Sequence, residues 1–264
     1  MQLGVDNLAA AIYTEKKRLV NMQLTIFNEY FSPSVGGKPP KNAPESIHTL
    51  LAGCFAEDTV CVATQEMPEN GLTQDILDKT DVLIWRSSVR NEYVLDSIAE
   101  KVASRVLQGM GIVFLGQGYA SKPFGLLTGY TPQAATDDGS ESLKLICIDP
   151  LHPVASGIPS SIRIEHDFIV AEPTSVALPE CLIYLEGSRG GDAARAVFTY
   201  TRGKGKIVCI AAGGDRSDAY RNPAFLQLIK NAVAWSMPSV AEPIVTAKEE
   251  PAVKKSFFKR FYGK

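Results

Sequence analysis

From Gln23 onward the chain repeats one rhythm of apolar and polar positions. Short apolar runs, QLTIFN (23–28), TVCVAT (59–64), DVLIWR (81–86) and GIVFLGQG (111–118), alternate with segments whose apolar residues recur three and four apart. Consecutive apolar positions suit buried strands and the intervening segments suit helices, so the pattern predicts βαβ units around a parallel sheet. SIHTLLAGCF (46–55) and LTQDILDKT (72–80) read as helices. The clearest helix is EYVLDSIAEKVASRVLQGMG (92–111), where Val94, Ile98, Val102 and Val106 share one face with Leu95 and Ala99 beside them. Gly109 supplies its stop.

The second half changes character. LKLICI (143–148), CLIYLE (181–186), AVFTYT (196–201) and KIVCIAA (206–212) are strand-like and joined by short turns. EGSRGGD (186–192) and TRGKGK (201–206) lack the following helix that a phosphate loop needs, so they read as hairpin turns. The last core element is NPAFLQLIKNAVAWS (222–236), with Asn222 as N-cap and Pro223 at the first helical position.

Three parts follow: an N-terminal arm or leader over 1–21, an α/β domain over 22–238, and a linker and tail over 239–264. Three prolines mark the stretch PSVAEPIVTAKEEPAV (238–253), and KKSFFKRFYGK (254–264) carries five positive charges and no acid. Its Phe257, Phe258, Phe261 and Tyr262 among cations suit docking of the 254–264 tail on a partner protein or a membrane surface.

Composition narrows the class. With 264 residues and 45% hydrophobic content the chain is long enough for a large core. A net charge of −2 gives no reason to expect nucleic acid. Near the start, MQLGVDNLAAAIYTEKKRLVN (1–21) places its basic residues after the apolar part, the reverse of a secretory signal, and no apolar run approaches the roughly 20 residues of a membrane span. A cytoplasmic protein is the expectation. Cys54, Cys61, Cys147, Cys181 and Cys209 have no paired spacing and read as buried thiols of a reducing compartment, with no zinc site among them.

Candidate chemistry concentrates where strands of an open α/β sheet end. FLGQGYASKPFGLLTG (114–129) is a strand, a glycine-rich turn and a helix, the layout that displays a nucleophile in many α/β enzymes. Gln117 is expected at the tip of that turn, and an amide is no nucleophile, which argues against acyl transfer; Gly116 and Gly118 would also serve simply to allow a tight turn. Glu29 follows the first strand, Asp215 follows the last, and His48 lies on the helix after the Gly/Pro-rich loop 32–44. His152, between prolines, and His166, at a strand or its edge, read as structural.

The segments LTIFNEY, ESIHTLL, NGLTQDILDKTDVLIW, KVASRVLQGMGIVFL, SKPFGLLTG, DPLHPVASGI, TYTRGKGKIVCIAAG and NPAFLQLIKNAVAW together resemble the ThuA (trehalose-utilisation) family over about Met22 to Pro238. The resemblance implies a flavodoxin-like, class I glutamine-amidotransferase-like fold: an open, mostly parallel sheet with helices on both faces and extra hairpin strands in the second half, without the amidotransferase cysteine. It also implies soluble, often homo-oligomeric proteins of carbohydrate metabolism that act on 3-keto sugars such as 3-keto-disaccharides of the trehalose type.

This chain departs from the family's histidine pattern. Ser88 and Asn91 stand where the family shows histidines after LIW, Gly116 and Tyr119 stand where it shows a further pair, and Gly213, Gly214, Asp215 replace a Gly-His-Glu pattern; His48 and His152 persist. Proton abstraction beside a carbonyl needs a near-neutral base and an electrophile, so losing imidazoles removes base and metal ligands together. The expectation is a diverged member with a sugar-sized polar pocket of Glu29, Asn91, Gln117 and Glu172, lost or altered catalysis, and no metal or cofactor. The alternative is an enzyme with a rebuilt site, using His48 or Asp215 as base and Tyr119 as acid in isomerisation or cleavage of a keto-sugar.

Overall fold

The computed structural model describes residues 22–28, 50–55, 60–65, 67–87, 91–129, 141–167, 180–187, 193–214 and 217–239. The strands in chain order are β1 (Leu24–Asn28), β2 (Val60–Thr64), β3 (Val82–Ser87), β4 (Gly111–Gly116), β5 (Glu141–Cys147), β6 (Ser161–Asp167), β7 (Cys181–Gly187), β8 (Ala193–Arg202) and β9 (Gly205–Ile210). The helices are α1 (Gln74–Lys79), α2 (Asp96–Gln108), α3 (Lys122–Thr128) and α4 (Pro223–Ser236), and residues 50–52 are also helical.

All nine strands form one sheet in the order β2-β1-β3-β4-β9-β8-β7-β5-β6. The pairs β2–β1, β1–β3, β3–β4 and β4–β9 are parallel, whereas β9–β8, β8–β7, β7–β5 and β5–β6 are antiparallel. The βαβ rhythm of the first half and the hairpins of the second thus meet at β9. The outer carbonyls on β6 are occupied: Arg163 O accepts from Asn222 Nδ2 at 3.0 Å and Glu165 O from the Asp218 N–H. That covers backbone an edge strand would otherwise expose.

Strand alternation divides the core into two layers. Leu24, Ile26, Val82, Ile84, Val113, Leu115, Val208 and Ile210 face one side, where Leu51 and α4 residues Phe225, Leu228, Ile229 and Val233 cover them. Phe27, Leu83, Trp85, Ile112, Phe114 and Cys209 face the other, against Leu77 of α1, Ile98, Val102 and Val106 of α2, and Phe124 of α3. Each such side chain, removed from water, contributes about 1.5–3 kcal/mol before chain entropy is counted.

The helix ends follow the expected signals. Asn222 Oδ1 accepts from the Ala224 and Phe225 N–H groups at the start of α4, Thr73 caps α1, and Gly109 ends α2. Two expectations are corrected. Leu95 is 52% exposed instead of joining the α2 stripe, because it is the N-cap with extended backbone and lies outside the helical period. β2 is not fully buried, since it is the sheet's edge and Cys61 faces out.

The cysteine reading is corrected with it: Cys209 alone among the described thiols is buried, Cys54 and Cys147 are half-buried, and Cys61 is exposed. Among the described residues no helix is long and apolar enough to cross a membrane. The expected arm over 1–21 and the 254–264 tail lie outside the described residues.

Candidate functional site

The parallel strands place an unusual set of buried polar groups at their C-terminal ends. β1 ends in Asn28 and β3 in Arg86 and Ser87, with Asn28 and Arg86 in register as neighbours. The Arg86 guanidinium is fully buried, and its Nη1 donates to Asn28 Oδ1 at 3.2 Å. Burying a guanidinium is costly unless acceptors surround it, so this corner of the sheet is built for polarity rather than packing.

The chain goes from β1 outward to β2 and then returns to β3 on the other side, so Asn28 and Arg86 stand where the strand order reverses. The segment before β2 covers one sheet face through Leu51, while α1, after β2, covers the other through Leu77. Helices leaving on opposite faces open a crevice there, which is where open α/β sheets bind ligands.

Next along the edge, Ser87 Oγ hydrogen-bonds Asn91 Oδ1, and Asn91 Nδ2 donates to Gln117 O at 3.3 Å. The Gln117 N–H in turn donates to Ser87 O at 2.9 Å, tying the turns after β3 and β4 together. Asn91 also begins a short segment held at its far end: the Leu95 N–H donates to Asn70 Oδ1 at 3.2 Å. Glu69 and Asn70 are non-glycine residues with φ of 51° and 53°, strained backbone at the loop after β2.

The turn after β4 differs from expectation in one decisive way. Its left-handed residue is Gly116, with φ of 62°, whereas Gln117 has an ordinary φ of −91°. The tip is therefore Gly116, one residue before the expected Gln117. A Cβ on Gly116 would lie 2.8 Å from Ser87 O and 3.2 Å from Gly213 O. Two backbone carbonyls fill the space that a reactive side chain on this turn would need. Gly213, after β9, is closed in the same way: a Cβ there would lie 2.8 Å from the Tyr220 hydroxyl.

Of the residues singled out from sequence, the structure brings Asn91 and Gln117 together; both are buried. Tyr119 is 1% exposed and packs within the apolar layer that contains Trp85 and Phe124. His48, Asp215, Glu29 and Glu172 lie outside the described residues. Sequence reasoning missed Asn28, Arg86, Ser87 and Tyr220. A signal existed for the first two, since each is the polar residue closing an otherwise apolar run, LTIFN and DVLIWR.

The parallel order, the switch point and the glycine turn define an α/β protein of the flavodoxin-like, class I glutamine-amidotransferase-like kind, lacking a nucleophile on that turn. The family model described as ThuA, trehalose utilisation, matches residues 24–236, and the chain belongs to that family. Solved structures agree in fold. A ThuA-like protein from Parabacteroides merdae has 12% identity and a TM-score of 0.57, over 85% of this chain and 94% of that one. A ThuA-like protein from Bacteroides uniformis has 14% identity and a TM-score of 0.58, over 82% and 91%. A cytoplasmic protein from Salmonella typhimurium has 14% identity and a TM-score of 0.52, over 83% and 100%. No sequence match was found among curated proteins.

Proposed function

We propose that this chain is a diverged ThuA-type carbohydrate-utilisation protein that binds a sugar-sized polar ligand at the β1/β3 switch point, with the family's acid–base chemistry lost or altered. The observation that carries the reading is the closed turn at Gly116. Where a side chain would point into the crevice, Ser87 O and Gly213 O stand instead. Asn91 and Ser87 are spent on holding the two turns together, a framework role suited to shaping a pocket.

Amide, hydroxyl and guanidinium groups at strand ends suit the hydroxyl-rich surface of a sugar, because each offers a directional donor or acceptor. A cytoplasmic, homo-oligomeric protein acting on imported disaccharides fits this reading.

Titration calorimetry with trehalose, sucrose and their 3-keto derivatives tests it, followed by deuterium uptake from solvent into any ligand that binds. Binding without exchange is expected. Failure of the whole panel to bind would overturn the sugar reading. Exchange that disappears in His48→Ala would instead establish the rebuilt enzyme, with His48 or Asp215 as base and Tyr119 as acid.

A further inference from the structure

A second surface feature lies between two helices that follow β3 and β4. Helices α2 and α3, on the sheet face opposite α4, enclose a cleft of about 470 Å³. Small residues Ala99 and Gly125 are part of its lining, Leu126 is 56% exposed beside them, and Asp96, Glu100 and Lys122 complete the charged rim. Lys122 is already engaged: its Nζ lies 2.6 Å from Asp96 Oδ1 and donates to Val94 O. Glu100 makes no ion pair among the described residues and leaves the rim acidic. The apolar surface continues upward, since Leu95 and Tyr93, just before α2, are 52% and 59% exposed. Leucines and a tyrosine gathered around carboxylates form a surface complementary to a cationic, aromatic segment.

The chain carries such a segment. Residues 254–264 hold five cations and no acid, with Phe257, Phe258, Phe261 and Tyr262 spaced to share one side of a helix. Reach is sufficient. The described chain leaves α4 near the start of β4, where Ser236 O lies against Gly111. The cleft lies along α2, a helix about 20 Å long at 1.5 Å per residue. Residues 240–253 span up to about 46 Å when extended, at about 3.3 Å each. Tethering at that length gives an effective concentration in the millimolar range, so modest complementarity is enough for occupancy.

We propose that the basic-aromatic segment 254–264 docks into the α2–α3 cleft of its own chain, with its rings on Leu126 and Leu95 and its cations on Glu100 and Asp96. The test uses the full-length protein and a zero-length carbodiimide cross-linker that joins carboxylates to amines. Cross-links between Glu100 or Asp96 and Lys254, Lys255 or Lys259 are expected. They should fall at least fivefold in 0.5 M salt, because added salt shortens the screening length from about 10 Å at 0.1 M toward about 3 Å at 1 M. In the full-length variant Phe257→Ser/Phe258→Ser/Phe261→Ser, cross-links should fall and amide exchange over α3 should accelerate severalfold, and Leu126→Lys, which puts a like charge in the cleft, should reproduce the loss of cross-links. Mixing light and heavy isotope-labelled protein separates the alternatives, because cross-links joining light to heavy chains would place the tail on a second copy and overturn the proposal. Unchanged α3 exchange in the triple variant, or tail-dependent binding to anionic vesicles with no cleft cross-links, would overturn it as well.

Discussion

The Tyr220 hydroxyl donates to the Gly213 carbonyl at 2.8 Å, across the turn that follows β9. Both groups are buried, and Tyr220 packs edge-on against Phe225 of α4 with ring centroids 5.7 Å apart. The turn bordering the crevice is therefore locked to the helix that covers one face of the sheet. Tyr220→Phe keeps the ring and removes this donor, so a loss of about 1–2 kcal/mol is expected. Urea unfolding measures it; an unchanged midpoint would show that the hydroxyl contributes nothing net.

Gly116 and Gly129 separate backbone strain from steric exclusion. Both have positive φ, 62° and 80°, but a Cβ on Gly129 meets nothing within 4 Å. Gly129→Ala should cost about 1–2 kcal/mol for the left-handed backbone alone. Gly116→Ala should cost about 3–4 kcal/mol, because overpacking against Ser87 O and Gly213 O adds to that strain. Equal losses in the two variants would mean the turn opens readily and would weaken the case for a closed site.

His152 predicts a pH dependence. Its Nδ1 accepts from the Val154 N–H at 3.2 Å, and its ring lies 5.3 Å from Trp235. Burial holds its pKa below the ordinary value, with Asp149 opposing that shift more weakly. The unfolded chain then binds the proton more readily than the folded one, so this contribution is complete above the unfolded pKa of about 6.5 and is lost as pH falls toward the folded value. His152→Asn keeps a capping acceptor and removes the titration. The stability difference between wild type and variant should shrink or reverse from pH 7.5 to pH 5.5; a pH-independent difference would count against this assignment.

Thiol reactivity should follow placement. Cys61 is exposed on edge strand β2, whereas burial pushes the Cys209 thiol far above its ordinary range and raises Cys54 and Cys147 more moderately. Iodoacetamide at neutral pH should label Cys61 first and Cys209 only after unfolding, as read by peptide mass spectrometry. Labelling of Cys209 in the native protein would reveal local opening of β9.

Local signals carried the fold a long way. The Asn222–Pro223 start of α4, the Gly109 end of α2 and the 3.6-residue stripe through Ile98, Val102 and Val106 are short-range chemistry, and each stands as read. Leu95 and Cys61 were misread because burial there depends on neighbours that only assembly provides: a cap conformation for one, an edge position for the other.

The candidate site was less legible, for the same reason. Gln117 stands out by its place after a strand and Asn91 by the family's histidine pattern, yet their mutual contact joins residues 26 apart in sequence. Arg86 and Asn28 are 58 apart, and nothing in DVLIWR says that its arginine turns inward to an asparagine at the end of another strand.

The alternation of strands and helices, the hairpins that extend the sheet, the caps that bound the helices and the family of the chain can all be read from runs of neighbouring residues. That Gly116, not Gln117, is the left-handed residue of the turn, and that Ser87 and Gly213 close over it, emerges only from the packed sheet. Periodicity and capping are properties of adjacent residues, whereas the room around an absent Cβ is set by strands that meet only when the sheet forms.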